Sequence, residues 1–75
     1  MERQYIVKEL ENVAERLRKE ADALTHISEN YFNEYGRQSK DDRRLAGLVS
    51  SKSGALLGIS SQLKVLNKMI ERKDD

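Results

Sequence analysis

The 75-residue chain contains no cysteine, no proline and no tryptophan, and its one histidine is His26. Without cysteine there is no disulfide and no thiolate-held zinc or iron–sulfur group. One histidine does not build a His-rich metal site. A di-metal bundle site needs Glu-x-x-His, and the residue three before His26 is Ala23. His26 reads as a boundary residue beside Leu24 and Ile27. The apolar runs are too short for a membrane span or a signal-peptide core, so a cytoplasmic protein without a membrane partner is expected. The serines have no His–Asp constellation near them. Gly54-Ala-Leu-Leu-Gly58 lacks the Gly-Lys-Ser/Thr ending of a phosphate loop. Together these absences predict no enzyme, no metal and no cofactor.

What remains is rich in helix formers. The chain is 37% hydrophobic and 36% charged, with a net charge of +1, so no bulk field demands nucleic acid. Residues 1–35 hold five basic and eight acidic groups, net −3, and residues 36–75 hold nine and five, net +4. Opposite halves favour lying side by side, although an exposed pair is worth only about 0–1 kcal/mol.

The first half predicts a helix over about 2–35. Ile6, Leu10, Val13, Leu17, Ala21, Leu24, Ser28, Tyr31 and Tyr35 recur at steps of three and four. Val7, Ala14 and Ile27 widen the stripe. Glu9, Glu11, Arg16, Arg18, Lys19, Asp22 and Glu29 form the opposite face, with Glu15 four residues from Lys19. A turn follows over 36–41. Gly36 suits the left-handed position that ends many helices, and Ser39, Asp41 or Asp42 can cap the next one. A second helix is predicted over about 42–72. Its seam reads Leu45, Val49, Lys52, Leu56, Ile59, Leu63, Leu66, Ile70, a heptad broken once by lysine. Leu48, Ala55 and Met69 flank it. Two helices joined by so short a turn make an all-α antiparallel hairpin, a single domain over 1–75.

A core this small contributes only about 3–5 kcal/mol, and small proteins add disulfides, metal or oligomerisation. With the first two absent, self-association is expected. Both stripes are wider than a two-helix seam needs, which suits a homodimeric four-helix bundle. If Leu10 pairs with Ile70, Leu17 with Leu63 and Leu24 with Leu56, a two-fold axis near the last layer sets Glu20 of one copy level with Lys52 of the other. Such a pair would fix register more than add stability. The competing reading is that both side chains reach to the bundle edge.

Helix 2 also carries Gly47, Ser51, Gly54, Gly58 and Ser61 at steps of 4, 3, 4 and 3. This second stripe, nearly opposite the Leu/Ile seam, admits close approach of another backbone. Otherwise it marks a flexible or kinked segment. The expected dimer or partner interface is therefore Leu17, Glu20, Leu24, Lys52, Leu56, Ile59 and Leu63, with the small-residue stripe as a further docking face for another protein. Tyr31-Phe32-Asn33-Glu34-Tyr35 gathers three of the four aromatics beside Arg37, Lys40, Arg43 and Arg44. Cations next to aromatics can bind single-stranded nucleic acid, but Glu34, Asp41 and Asp42 dilute the field. The functional expectation is a small, non-enzymatic, self-associating protein-interaction module, such as an adaptor, chaperone-like partner or regulator. The alternative is a nucleic-acid-binding regulator that uses the basic turn.

Overall fold

Both periodic halves become helices in the computed structural model, which describes residues 2–73. Helix α1 spans Arg3–Tyr31 and helix α2 spans Lys40–Arg72. Between them Phe32–Gly36 forms a π-helical turn. The hairpin is a rod of 58 × 14 × 13 Å. Asp74 and Asp75, expected to fray, lie outside the described residues.

The start of α2 follows from its sequence. Ser39 is extended, at φ −144° and ψ 132°, and its side chain accepts a hydrogen bond from the Asp42 amide at 3.3 Å. Asp41 and Asp42 lie in the first turn, where negative charge suits the helix dipole. The chain reverses more tightly than expected, because α2 begins two residues earlier than the predicted Asp42. Gly36 corrects a second expectation: no glycine among the described residues has positive φ. Its value is steric instead. It is buried, and a Cβ there would lie 2.6 Å from Phe32 Cδ2. The wide turn also shifts the helical phase, so Tyr35 leaves the inner stripe and is exposed.

The innermost seam is built from small residues. Val7, Ala14, Ala21 and Ser28 are the buried positions of α1; Ala46, Ser53, Ser60 and Asn67 are those of α2. Each set repeats every seven residues. Ala14 and Ala21 are fully enclosed, at 0% exposure. Across the seam runs a ladder of side-chain-to-backbone hydrogen bonds. Ser28 donates to the Ala46 carbonyl at 2.8 Å, Ser53 to Ala21 at 2.7 Å, Ser60 to Ala14 at 2.8 Å, and the Asn67 amide to Val7 at 2.9 Å. A serine side chain is one carbon long, so these bonds require the two backbones to approach closely. At the rungs of Ala14, Ala21, Ser53 and Ser60, only residues of that size fit between them.

In all four rungs the paired residue numbers sum to 74, which sets the register of the hairpin. The reversal point is therefore residue 37, inside the tight turn. This corrects the expected pairing by almost one heptad: Leu10 lies level with Lys64 and not Ile70, and Leu17 with Leu57 and not Leu63. The predicted heptad of α2 also took the wrong line as innermost. Val49, Leu56, Leu63 and Ile70 are half-buried beside the seam, while Leu45, Lys52, Ile59 and Leu66 are exposed. The seam itself, Ala46-Ser53-Ser60-Asn67, was not the predicted line. Glycines 47, 54 and 58 do not interrupt α2, which is continuous for 33 residues.

Candidate interaction surface

A helix turns about 100° per residue, so the rows next to the seam follow from its position. Three residues after each seam residue come Leu10, Leu17, Leu24 and Tyr31 on α1, and Val49, Leu56, Leu63 and Ile70 on α2; all are half-buried. One residue before each seam residue come Ile6, Val13, Glu20 and Ile27 on α1, and Leu45, Lys52, Ile59 and Leu66 on α2. In an antiparallel pair, positions displaced in the same sense from the seam fall on the same side. All four rows therefore share one broad face of the rod.

Read along each helix, this face is itself a heptad seam. On α1 it steps through residues 6, 10, 13, 17, 20, 24, 27 and 31, and on α2 through 45, 49, 52, 56, 59, 63, 66 and 70. Each helix thus carries two seams. The small-residue seam is filled within the chain, and the Leu/Ile seam is open. Ile27, Leu45, Ile59 and Leu66 are 42–53% exposed. Scattered exposed apolar residues are ordinary on a protein surface, whereas a contiguous apolar face marks an interaction site.

The expected interface residues divide accordingly. Leu17, Leu24, Leu56 and Leu63 are the inner rows of this face, and Ile59 stands on its outer row. Glu20 and Lys52 are its two charges in the outer rows, both exposed. In the observed register Lys52 is level with Asp22, about 3 Å along the axis from Glu20. Neither residue makes an ion pair among the described residues. Gly47, Ser51, Gly54, Gly58 and Ser61 lie on the other side of α2, exposed. A Cβ added at Gly47, Gly54 or Gly58 would meet nothing within 4 Å.

The far side of α1 is polar. Arg18 bonds Glu15 at 2.6 Å and approaches Asp22 at 3.5 Å. Glu15 thus pairs with Arg18 three residues on. Its carboxyl is held below the usual range first by that hydrogen bond, then by the charges of Arg18, Lys19 and Lys64. Lys64 is on α2, so the opposite charge of the two halves is felt across the hairpin.

At the turn end, the Tyr31 hydroxyl donates to Asp42 Oδ1 at 2.6 Å, and the Tyr31 and Tyr35 rings meet edge to face at 5.9 Å. The Tyr31 phenol is raised above its usual range, mainly by that hydrogen bond to a carboxylate. Arg43 Nε donates to the Gly36 carbonyl at 3.1 Å, holding the turn closed. Arg37, Lys40 and Arg44 are exposed at the same end. The turn cations are thus split between one structural residue and three free to face solvent.

The four rows of the open face are legible in the sequence. The α1 half of the inner seam, Val7, Ala14, Ala21 and Ser28, lies within the predicted stripe, whereas the α2 half escapes a search for apolar periodicity because serine and asparagine are polar. The available signal was two sets of small residues, each repeating every seven positions. No helix among the described residues is long and apolar enough to cross a membrane. No family model, no curated protein and no solved structure matches the chain.

Proposed function

We propose that this protein is a small, non-enzymatic interaction module that works by self-association through its open Leu/Ile face. One observation carries the reading. The helices pair through small residues, so the large apolar side chains are left over for a second seam. A hairpin meant to stand alone would place its leucines between its helices. Here Leu10, Leu17, Leu24, Leu45, Leu56, Leu63 and Leu66 flank the join on one side, in heptad order on both helices, with Leu48 and Leu57 the exceptions. Covering that face with a like hairpin gives a four-helix bundle, in which every helix touches two neighbours. The small-residue stripe on the opposite side of α2 would remain outside and available to another protein.

Sedimentation equilibrium tests this reading. The expected result is a species at twice the 8.7 kDa chain mass. Ile59→Glu or Leu66→Glu should yield monomer, with helical circular dichroism largely retained, because neither residue lies in the inner seam. A monomeric wild-type chain at high micromolar concentration would reject the reading.

A further inference from the structure

We propose that the partner on the open face is a second copy of this chain, docked about a two-fold axis parallel to the rod, with both turns at one end and Glu20 of each chain against Lys52 of the partner subunit. This rests on the self-association reading above and specifies its geometry.

The argument begins with the symmetry of a face-to-face dimer. Such a contact is isologous, so its two-fold axis lies in the contact plane. Two orientations bring full-length rods together: the axis runs along the rod or across it. Both make all neighbouring helices antiparallel, so helix dipoles do not choose between them. They differ in which helices meet. An axis along the rod stacks α1 on α2 of the partner subunit. An axis across it stacks α1 on α1 and α2 on α2.

Each outer row holds one charge among three apolar residues. The α1 row is Ile6, Val13, Glu20, Ile27, and the α2 row is Leu66, Ile59, Lys52, Leu45 when read in the same direction along the rod. The charge is third in both. Rotation about an axis along the rod leaves every residue at its own height, so the hairpin's internal register also fixes the register of the dimer. From the sum of 74, Leu66, Ile59, Lys52 and Leu45 lie level with residues 8, 15, 22 and 29 of α1. Each is two residues, about 3 Å, from its counterpart in the α1 row. Ile6 then meets Leu66 of the partner subunit, Val13 meets Ile59 of the partner subunit, and Ile27 meets Leu45 of the partner subunit. Glu20 meets Lys52 of the partner subunit, and symmetry repeats the contact.

The crosswise arrangement has no such solution. Stacking like on like sets Glu20 against another α1 row, whose residues are apolar or Glu20 itself. Lys52 meets the same difficulty on α2. A charge facing an apolar row or its own sign is costly when partly desolvated. The charges therefore act by excluding the crosswise dimer more than by strengthening the other.

The test uses the full chain, which has no native cysteine to interfere. A nitroxide label is placed on Gln38→Cys, in the exposed turn, and the label-to-label distance is measured by pulsed electron resonance. Turns at one end give a distance below roughly 30 Å, set by helix spacings of about 10 Å plus the label arms. A dimer with a distance near the 58 Å rod length overturns this proposal and leaves self-association standing. Absence of any dipolar signal, with a monomer mass, rejects self-association as well. In parallel, Glu20→Lys and Lys52→Glu should each weaken the dimer about tenfold or more, and the double variant should recover to within about threefold of wild type. A double variant no tighter than the single ones overturns the charge pairing.

Discussion

Ser53 on α2 donates its hydroxyl to the Ala21 carbonyl on α1 at 2.7 Å, across 32 residues of sequence. The same hydroxyl lies 2.7 Å from that of Thr25, which is itself 3.1 Å from the Ala21 carbonyl. That carbonyl belongs to the α1 backbone, whose own helical bonding also uses it. The serine therefore adds a bond without being the sole partner. This relationship, repeated at Ser60–Ala14 and Asn67–Val7, is how a polar residue can occupy the centre of a helix–helix contact. It also separates what the seam needs in size from what it needs in chemistry.

Size should matter more than the hydroxyl. Ser53→Ala or Ser60→Ala keeps the volume and leaves no acceptor stranded, so each should cost about 1 kcal/mol or less. Ser53→Leu or Ser60→Leu forces the backbones apart and should cost about 1–3 kcal/mol or more, despite raising hydrophobicity. Urea denaturation followed by circular dichroism measures both. A leucine variant as stable as wild type would contradict the close-packed seam.

Asn67 is the weakest rung. Its amide nitrogen bonds Val7, but its buried Oδ1 has no partner among the described residues. An unsatisfied buried acceptor costs about 1–3 kcal/mol. Replacement by serine, which matches the other rungs, should therefore hold or raise the unfolding midpoint. A clear loss of stability in Asn67→Ser would show that the asparagine has a further partner.

The glycines of α2 should behave differently from Gly36. At Gly47, Gly54 and Gly58 an added Cβ meets open space, so each change to alanine should stabilise the helix by about 1 kcal/mol. Association should be unchanged if the Leu/Ile face is the self-association surface. At Gly36 the added methyl presses on the Phe32 ring, so Gly36→Ala should lower the melting temperature unless that ring swings aside. Thermal melts of the four single variants, each with a measured mass, decide this. Loss of the dimer in Gly54→Ala would move the association surface to the small-residue stripe.

Tyr31 makes stability pH-dependent at the alkaline end. Its phenol in the folded chain is raised above the ordinary value of 10.0 because it donates to Asp42. A raised folded value means that this contribution is complete below the unfolded value. It is lost as pH climbs through the folded one, where phenolate and carboxylate would face each other. Wild type should therefore lose more stability than Tyr31→Phe between neutral pH and pH above about 10. Parallel pH profiles for the two proteins would rule out the Tyr31–Asp42 bond as the cause.

The primary structure alone determined that there are two helices and roughly where the chain turns between them, and it offered Ser39 as one of three candidate caps for the second; the structure selects Ser39. These are local matters: three-and-four spacing, absent proline, a capping side chain and a glycine at the turn act within a few residues. It also marked Leu56, Leu63, Ile59 and their α1 counterparts as one apolar stripe. Tertiary structure decided which line of that broad stripe lies innermost. On α2 an apolar count favours the combined line Leu45, Val49, Lys52, Leu56, Ile59, Leu63, Leu66 and Ile70, yet Ala46-Ser53-Ser60-Asn67 is inside. Only the partner helix supplies the carbonyls that satisfy those polar groups and the closeness that excludes leucine. Register was likewise tertiary. A slip of one heptad keeps every face apolar, and it is the tight reversal at Arg37, closed by Arg43 on Gly36 and Tyr31 on Asp42, that selects one pairing.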